Sequence, residues 1–215
     1  MTDFGAARHA MVERQLAARG AAGPALLDAF LEVPREAFVP DHLAAFAYDD
    51  GPLPIGSGQT ISQPYIVALM IEAAGIAAGA SVLEIGAGSG YAAAMMSRIA
   101  AQVIAIERHA ELARAAASRL RRLGYDNVEI IAADGSRGWP GRAPYDAILA
   151  AASGPRPGAA LLGQLAPGGA LVMPVGAPDS VQQLRRFRRG PGGLIEDDLG
   201  AVRFVPLIGV AGWPE

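Results

Sequence analysis

One ten-residue segment, Val82-Leu83-Glu84-Ile85-Gly86-Ala87-Gly88-Ser89-Gly90-Tyr91, constrains the fold more than any other part of the chain. It is an apolar strand that ends in a glycine-rich turn and passes directly into a helix. Glycines in such a turn let the backbone approach a ligand at the carboxyl end of a strand, where open α/β sheets bind their ligands. The flanking pattern is that of a parallel sheet. Apolar runs at Ser81–Ile85, 102–106, 128–131 and Tyr145–Ala150 alternate with helical stretches at 91–100 and 109–123, the signature of βαβ units. A helix over 159–165 and a strand over 170–174 follow, separated by a Pro167-Gly168-Gly169 turn. The tail, 181–188 and 194–205 around Gly190-Pro191-Gly192-Gly193, reads as an antiparallel hairpin closing one edge of the sheet. The expected fold is therefore α/β and Rossmann-like: a mostly parallel central sheet, helices on both faces, and an antiparallel C-terminal hairpin.

N-terminal helices precede this core. Residues 6–19 form an amphipathic stretch, and Pro24 stands at a helix start before Ala25-Leu26-Leu27-Asp28-Ala29-Phe30-Leu31. Pro34 and Pro40 then break the pattern. Residues 49–64 are too rich in Gly and Pro for a regular element and read as an ordered loop over the active site. One domain over 1–215 is expected, with 1–60 as N-terminal helices and loop and 61–215 as the core; 52% apolar residues are enough to fill it. No internal repeat is found.

Several functions are disfavoured at once. No uninterrupted run of 18 apolar residues exists, and the chain start lacks a basic region followed by an apolar one, so a cytoplasmic protein without a membrane role is expected. The absence of cysteine removes disulfides and thiolate nucleophiles, and His9, His42 and His109 lack ligand-like spacing, so no metal site is expected. A formal net charge of -3 disfavours a polyphosphate backbone, so nucleic acid is not an expected partner. No stable protein partner is evident.

The glycine turn differs from a dinucleotide fingerprint in two ways. Its third glycine, Gly90, comes one residue early relative to G-x-G-x-x-G, and Glu84 sits inside the strand end. A carboxylate there is badly placed beside a pyrophosphate but well placed for the cationic amino-acid portion of S-adenosylmethionine. Glu107 ends the second strand seventeen residues beyond Gly90, near the position where such folds put a carboxylate on ribose hydroxyls. Asp134 follows the third strand in Ile131-Ala132-Ala133-Asp134-Gly135 and could accept a hydrogen bond from the adenine amino group. Each acid alone has a plainer role as a helix cap or solvated turn residue; three in order at successive strand ends form a cofactor constellation. Met95 and Met96 read as core, and Arg185-Arg186-Phe187-Arg188-Arg189 as the solvated end of the hairpin rather than a phosphate patch.

The chain resembles the bacterial protein-L-isoaspartate (D-aspartate) O-methyltransferases along nearly its whole length. The similarity lies in Val33-Pro34-Arg35-Glu36-Ala37-Phe38-Val39, Leu53-Pro54-Ile55-Gly56, Gly58-Gln59-Thr60-Ile61-Ser62-Gln63-Pro64-Tyr65, the 82–91 segment, Tyr145-Asp146-Ala147-Ile148, Met173-Pro174-Val175-Gly176 and Val202-Arg203-Phe204-Val205-Pro206-Leu207. The Gln-Thr-Ile-Ser-Gln-Pro stretch is the most specific of these, because generic methyltransferases share only the glycine turn. The resemblance implies a class I methyltransferase that transfers a methyl group from S-adenosylmethionine to the free α-carboxylate of isoaspartyl residues in damaged proteins, releasing S-adenosylhomocysteine. It also implies that Ser62 is the active-site residue and contacts the acceptor together with Ala151 and Ala152. The cofactor residues it implies are Thr60, Ile61, Ser62, Glu84, Gly86, Gly88, Gly90, Glu107, Arg108, Asp134 and Gly135. The plain alternative for Ser62 is a cap for the helix that starts near Tyr65. At 151–154 this chain has Ala-Ala-Ser-Gly where relatives usually carry Thr-Ala-Ala-Pro, a departure that bears on the acceptor and not on the cofactor.

Two other readings stay open on the sequence alone. A methyltransferase of another carboxylate or protein acceptor would differ in its methyl acceptors, and a non-catalytic relative would bind cofactor without turnover. A nicotinamide oxidoreductase fits less well, because the short glycine turn argues against it.

Overall fold

A computed structural model describes residues 2–190 and 192–214; Pro191 of the expected hairpin turn lies outside them. Helix α1 (Phe4–Met11) continues through a π-helical turn at Val12–Leu16 and a 3-10 turn at Ala17–Arg19, so the amphipathic stretch is helical throughout. It stops at Gly20, whose φ of +95° suits glycine. Helix α2 (Pro24–Glu32) has its proline at the first turn, where the missing N–H costs nothing. Short 3-10 turns follow at Arg35–Phe38 and Asp41–Phe46.

The Gly/Pro-rich stretch is more regular than its composition suggests. Strands β1 (Leu53–Gly56) and β2 (Gln59–Ile61) form a two-stranded antiparallel hairpin. Both central turn residues, Ser57 and Gly58, have positive φ, the geometry that favours tight hairpins. Pro54 is tolerated because a two-stranded hairpin leaves outer backbone groups unpaired, so one lost donor breaks no sheet.

After α3 (Pro64–Ala74) come β3 (Ser81–Ile85), α4 (Tyr91–Ser97), β4 (Gln102–Glu107), α5 (Ala110–Arg122), β5 (Val128–Ala132), β6 (Tyr145–Ala150), α6 (Ala159–Gly163), β7 (Leu165–Val175), β8 (Gln182–Gly190) and β9 (Gly193–Val202). The last seven strands make one sheet in the order β5-β4-β3-β6-β7-β8-β9, parallel from β5 to β7 and antiparallel from β7 to β9. Strand β7 starts earlier than expected: the Pro167-Gly168-Gly169 stretch is a bulge within it, marked by a register shift opposite β6.

Alternation along the strands divides the core in two. Val82, Val103, Ala105, Ala147, Leu149 and Val172 pack under the N-terminal helices, α3 and α4. Leu83, Ile85, Ile104, Ile106, Ile148, Leu171 and Met173 face the other side, against Leu161 of α6. Met95 and Met96 are fully buried. The arginines of β8 face acids of β9: Arg185 pairs with Glu196 and Asp198, and Arg186 and Arg188 share Asp197. No described helix is long and apolar enough to cross a membrane.

Candidate active site

Strand order reverses at β3, whose neighbours β4 and β6 lead to opposite halves of the sheet. A crevice opens at the carboxyl ends of strands at such a point, and here it is a cavity of about 300 Å³. The glycine turn is pinned across it: Gly86 and Ala87 donate to the Ile106 carbonyl at 2.8 and 3.0 Å, and Ala151 donates to that of Ile85 at 2.8 Å. Gly86 and Gly88 have φ of +88° and +53°, and a Cβ on Gly88 would lie 3.1 Å from Ile55 of the hairpin. The hairpin therefore closes the cavity from above the turn.

Two carboxylates sit at its base. Glu107 accepts hydrogen bonds from Gly88 N–H at 2.8 Å and His109 N–H at 2.9 Å, one on each oxygen. Glu84 is 2% exposed, and its Oε2 has no hydrogen-bond partner. Burial, reinforced by the negative charge of Glu107, holds the Glu84 carboxyl well above the usual carboxylate range. An orphaned buried carboxyl beside a glycine cradle fits a ligand that brings its own cation.

The structure brings Thr60, Ile61, Ser62, Glu84, Gly86, Gly88, Glu107, Arg108, Gly135, Ala151 and Ala152 around this one cavity. Two expected residues stand outside it. Gly90 caps α4 at φ +86°, and a side chain there would meet Leu120 and Ala116 of α5, so its glycine serves helix packing. Asp134 uses both carboxylate oxygens on backbone N–H groups, Oδ1 on Ser136 at 2.8 Å and Oδ2 on Val210 at 2.9 Å, and faces an adjoining cleft with Arg108 and Trp213. Sequence reasoning missed Tyr91, His109 and the 205–208 segment as cavity walls. The apolar, proline-containing run after the hairpin was a signal for that segment, since such a run must pack against something.

Ser62 does not cap α3. Helix α3 begins one residue earlier than expected, at Pro64, with Gln63 at its N-cap and no side-chain cap. The Ser62 carbonyl accepts a 2.8 Å hydrogen bond from Arg35 Nη2. A groove of about 710 Å³, with Gln63, Gln182 and Arg203 among its walls, meets the cavity along Thr60, Ser62, Ala151, Val205 and Pro206, which line both. The 151–154 loop sustains this junction through its backbone: Ser153 N–H donates to the Val205 carbonyl, the Ser153 carbonyl accepts from Leu207 N–H, both at 2.8 Å, and Gly154 N–H donates to the Pro174 carbonyl at 3.1 Å. A proline at 154 would lose that last bond.

The doubly wound sheet, the glycine turn and the acids at its strand ends define a class I S-adenosylmethionine-dependent methyltransferase. The family model described as protein-L-isoaspartate(D-aspartate) O-methyltransferase matches residues 6–212. Similar sequences include protein-L-isoaspartate O-methyltransferase 1 of Rhodopseudomonas palustris strain HaA2, 56% identical over 99% of this chain and 87% of that protein, and the protein-L-isoaspartate O-methyltransferase of Methylorubrum populi, 57% identical over 99% of this chain and all of that one. Among solved structures, a protein-L-isoaspartate O-methyltransferase superposes with a TM-score of 0.85 at 30% identity, covering 95% of this chain and 67% of the other. A putative Plasmodium falciparum relative in complex with S-adenosyl-L-homocysteine gives 0.78 at 26% identity, covering 95% and 98%. The chain belongs to the protein-L-isoaspartate(D-aspartate) O-methyltransferase family.

Proposed function

We propose that this chain transfers a methyl group from S-adenosylmethionine to the α-carboxylate of L-isoaspartyl residues in damaged proteins and peptides, and that Ser62 orients that carboxylate. The observation that carries the proposal is the shared wall of Thr60, Ser62, Ala151, Val205 and Pro206 between cavity and groove. It allows a cofactor held against Glu84 and Glu107 and a peptide in the groove to meet at Ser62.

The chemistry asks little of the protein beyond placement. An α-carboxylate is ionised at neutral pH, with an ordinary pKa of about 3.3–3.7, so no general base is needed. When bound, the cofactor supplies the methyl group on a sulfonium, a good leaving group. The chain's own contribution is to align the carboxylate and keep water out, which can be worth several orders of magnitude in rate. Once formed, the ester is attacked by the backbone nitrogen of the following residue and methanol leaves, giving a succinimide without further catalysis, and its hydrolysis returns part of the material as normal aspartate.

Methyl transfer to an isoaspartyl peptide and to its normal aspartyl twin tests the proposal. The isoaspartyl peptide should be methylated and the twin ignored, because the free carboxylate lies one methylene apart in the two backbones. Ser62→Ala should lower the isoaspartyl rate about ten- to a thousandfold while cofactor affinity holds, the range for loss of one orienting hydrogen bond in a dry site. Binding of S-adenosylhomocysteine with no methylation of either peptide would sink the acceptor assignment and leave the class intact.

A further inference from the structure

Arg35 is fully buried, and among the described residues it has no ion-pair partner. Its guanidinium donates to backbone carbonyls, Nε to Ala47 at 2.7 Å, Nη2 to Ser62 at 2.8 Å and, weakly, to Gly51 at 3.5 Å, and it interacts with the Tyr91 side chain as well. Its face lies over the ring of Tyr91, 4.8 Å from the centroid, and Tyr91 in turn lines the cavity. Burial pushes the guanidinium below its ordinary pKa, yet an arginine keeps its charge in proteins.

A buried cation without a carboxylate is costly, and an apolar side chain of similar volume would commonly serve a purely structural purpose at less expense. Two of the three carbonyls, those of Ala47 and Gly51, belong to the loop before the hairpin. The third belongs to Ser62, whose own side chain is not engaged as a helix cap. With Nη2 on the carbonyl and Tyr91 beneath, the Ser62 backbone is held between the N-terminal turn and the cavity wall.

We infer that Arg35 is a positioning residue for methyl transfer: through its hydrogen bond to the Ser62 carbonyl it sets the direction of the Ser62 hydroxyl toward the acceptor carboxylate. This rests on the acceptor role proposed for Ser62. Lysine cannot substitute, because a single ammonium does not reproduce the planar fork that reaches Ala47 and Ser62 at once while stacking on Tyr91.

The test uses wild type, Arg35→Lys, Ser62→Ala and the double variant, each assayed for isoaspartyl methylation at saturating cofactor and for S-adenosylhomocysteine affinity. Arg35→Lys should lower kcat about tenfold or more, as loss of alignment does, and leave cofactor affinity within about twofold. In the Ser62→Ala background, where there is no hydroxyl left to aim, the same change should cost less than about twofold. Equal losses in both backgrounds would make Arg35 a fold-stabilising residue only, and a wild-type rate for Arg35→Lys beside an impaired Ser62→Ala would overturn the inference while sparing the serine. Full activity of Ser62→Ala would instead overturn the serine's role and this inference with it. Should the Arg35 variants fail to fold, the wild-type protein still decides: the Arg35 side-chain NMR resonances should shift when isoaspartyl peptide joins the S-adenosylhomocysteine complex, and unchanged resonances overturn the inference.

Discussion

Glu84 and Glu107 stand at the carboxyl ends of neighbouring parallel strands, next to last in β3 and last in β4, yet their oxygens fare differently: Glu107 holds two backbone N–H groups, and Glu84 Oε2 holds none. Each therefore makes a different prediction.

In the folded, ligand-free chain, burial first and the charge of Glu107 second raise the pKa of Glu84 well above the ordinary value. Above about pH 4.3 the unfolded chain has released the Glu84 proton, so folding becomes less favourable as pH rises from there toward the raised pKa. A cofactor ammonium reverses the balance by favouring the carboxylate. Binding of S-adenosylhomocysteine should therefore release a proton, tighten as pH rises toward the raised pKa, and show a calorimetric enthalpy that varies with buffer ionisation enthalpy. Glu84→Gln should abolish the proton release and weaken binding. A buffer-independent enthalpy in wild type would remove Glu84 from the ammonium site.

Glu107→Gln leaves one good acceptor where Gly88 and His109 need two, and it takes the charge away from any hydroxyls bound there. The expected loss of S-adenosylhomocysteine affinity is about 1–3 kcal/mol. The same change should loosen the start of α5, visible as faster amide exchange at His109. Affinity equal to wild type would show that Glu107 serves the turn alone.

The two glycines flanking Ser89 should separate by phenotype. Gly88→Val forces a β-branched side chain into φ +53° and within 3.1 Å of Ile55, on the wall of the cavity, so cofactor binding should fail by calorimetry even where the protein stays folded. Gly90→Ala sits at φ +86° against Leu120, away from the cavity, and should cost about 1–3 kcal/mol of stability with little change in affinity. The reverse assignment, with affinity lost at Gly90 and kept at Gly88, would contradict the geometry.

The sheet was legible because its information is local: each parallel strand is mostly apolar, and the strand bounds Ser81–Ile85 and Tyr145–Ala150 are where the sequence pattern puts them. So was part of the cavity, since Glu84, Gly86 and Gly88 stand within three residues of the end of β3 and Glu107 ends β4. What was not legible depends on partners far along the chain. The hairpin at 53–61 was hidden because glycine and proline mark loops in general, and only pairing of Leu53 with Ile61 turns them into strands. Arg35 and Ser62 are 27 positions apart, and Asp134 and Val210 are 76 apart; no periodicity or spacing announces such contacts. Asp134, placed by its position after a strand, also gives Oδ1 to Ser136 and Oδ2 to Val210 of the C-terminal segment.

That last contact makes the final prediction. Burial works against ionisation of Asp134, but N–H donation from Val210 and Ser136, with the charge of Arg137, prevails and holds its carboxyl below the ordinary value. A depressed pKa means that the carboxylate's contribution is complete above the ordinary value of about 3.9 and disappears as pH falls through the lower, folded-state pKa. Hydrogen exchange at the Val210 amide should accordingly be slow at neutral pH, remain protected down to about pH 4, and lose protection on further acidification. Asp134→Ala should abolish the protection at every pH, together with that of the Ala211 amide, which donates to Ser136 Oγ at 3.0 Å in the same turn. Because Oδ2 already serves the C-terminal segment and Oδ1 the Ser136 amide, S-adenosylhomocysteine should leave the Val210 amide protected, and Asp134→Ala should weaken its binding less than Glu107→Gln does. Deprotection of Val210 on cofactor addition would show that the adenine amino group displaces the segment, and would return Asp134 to the ligand.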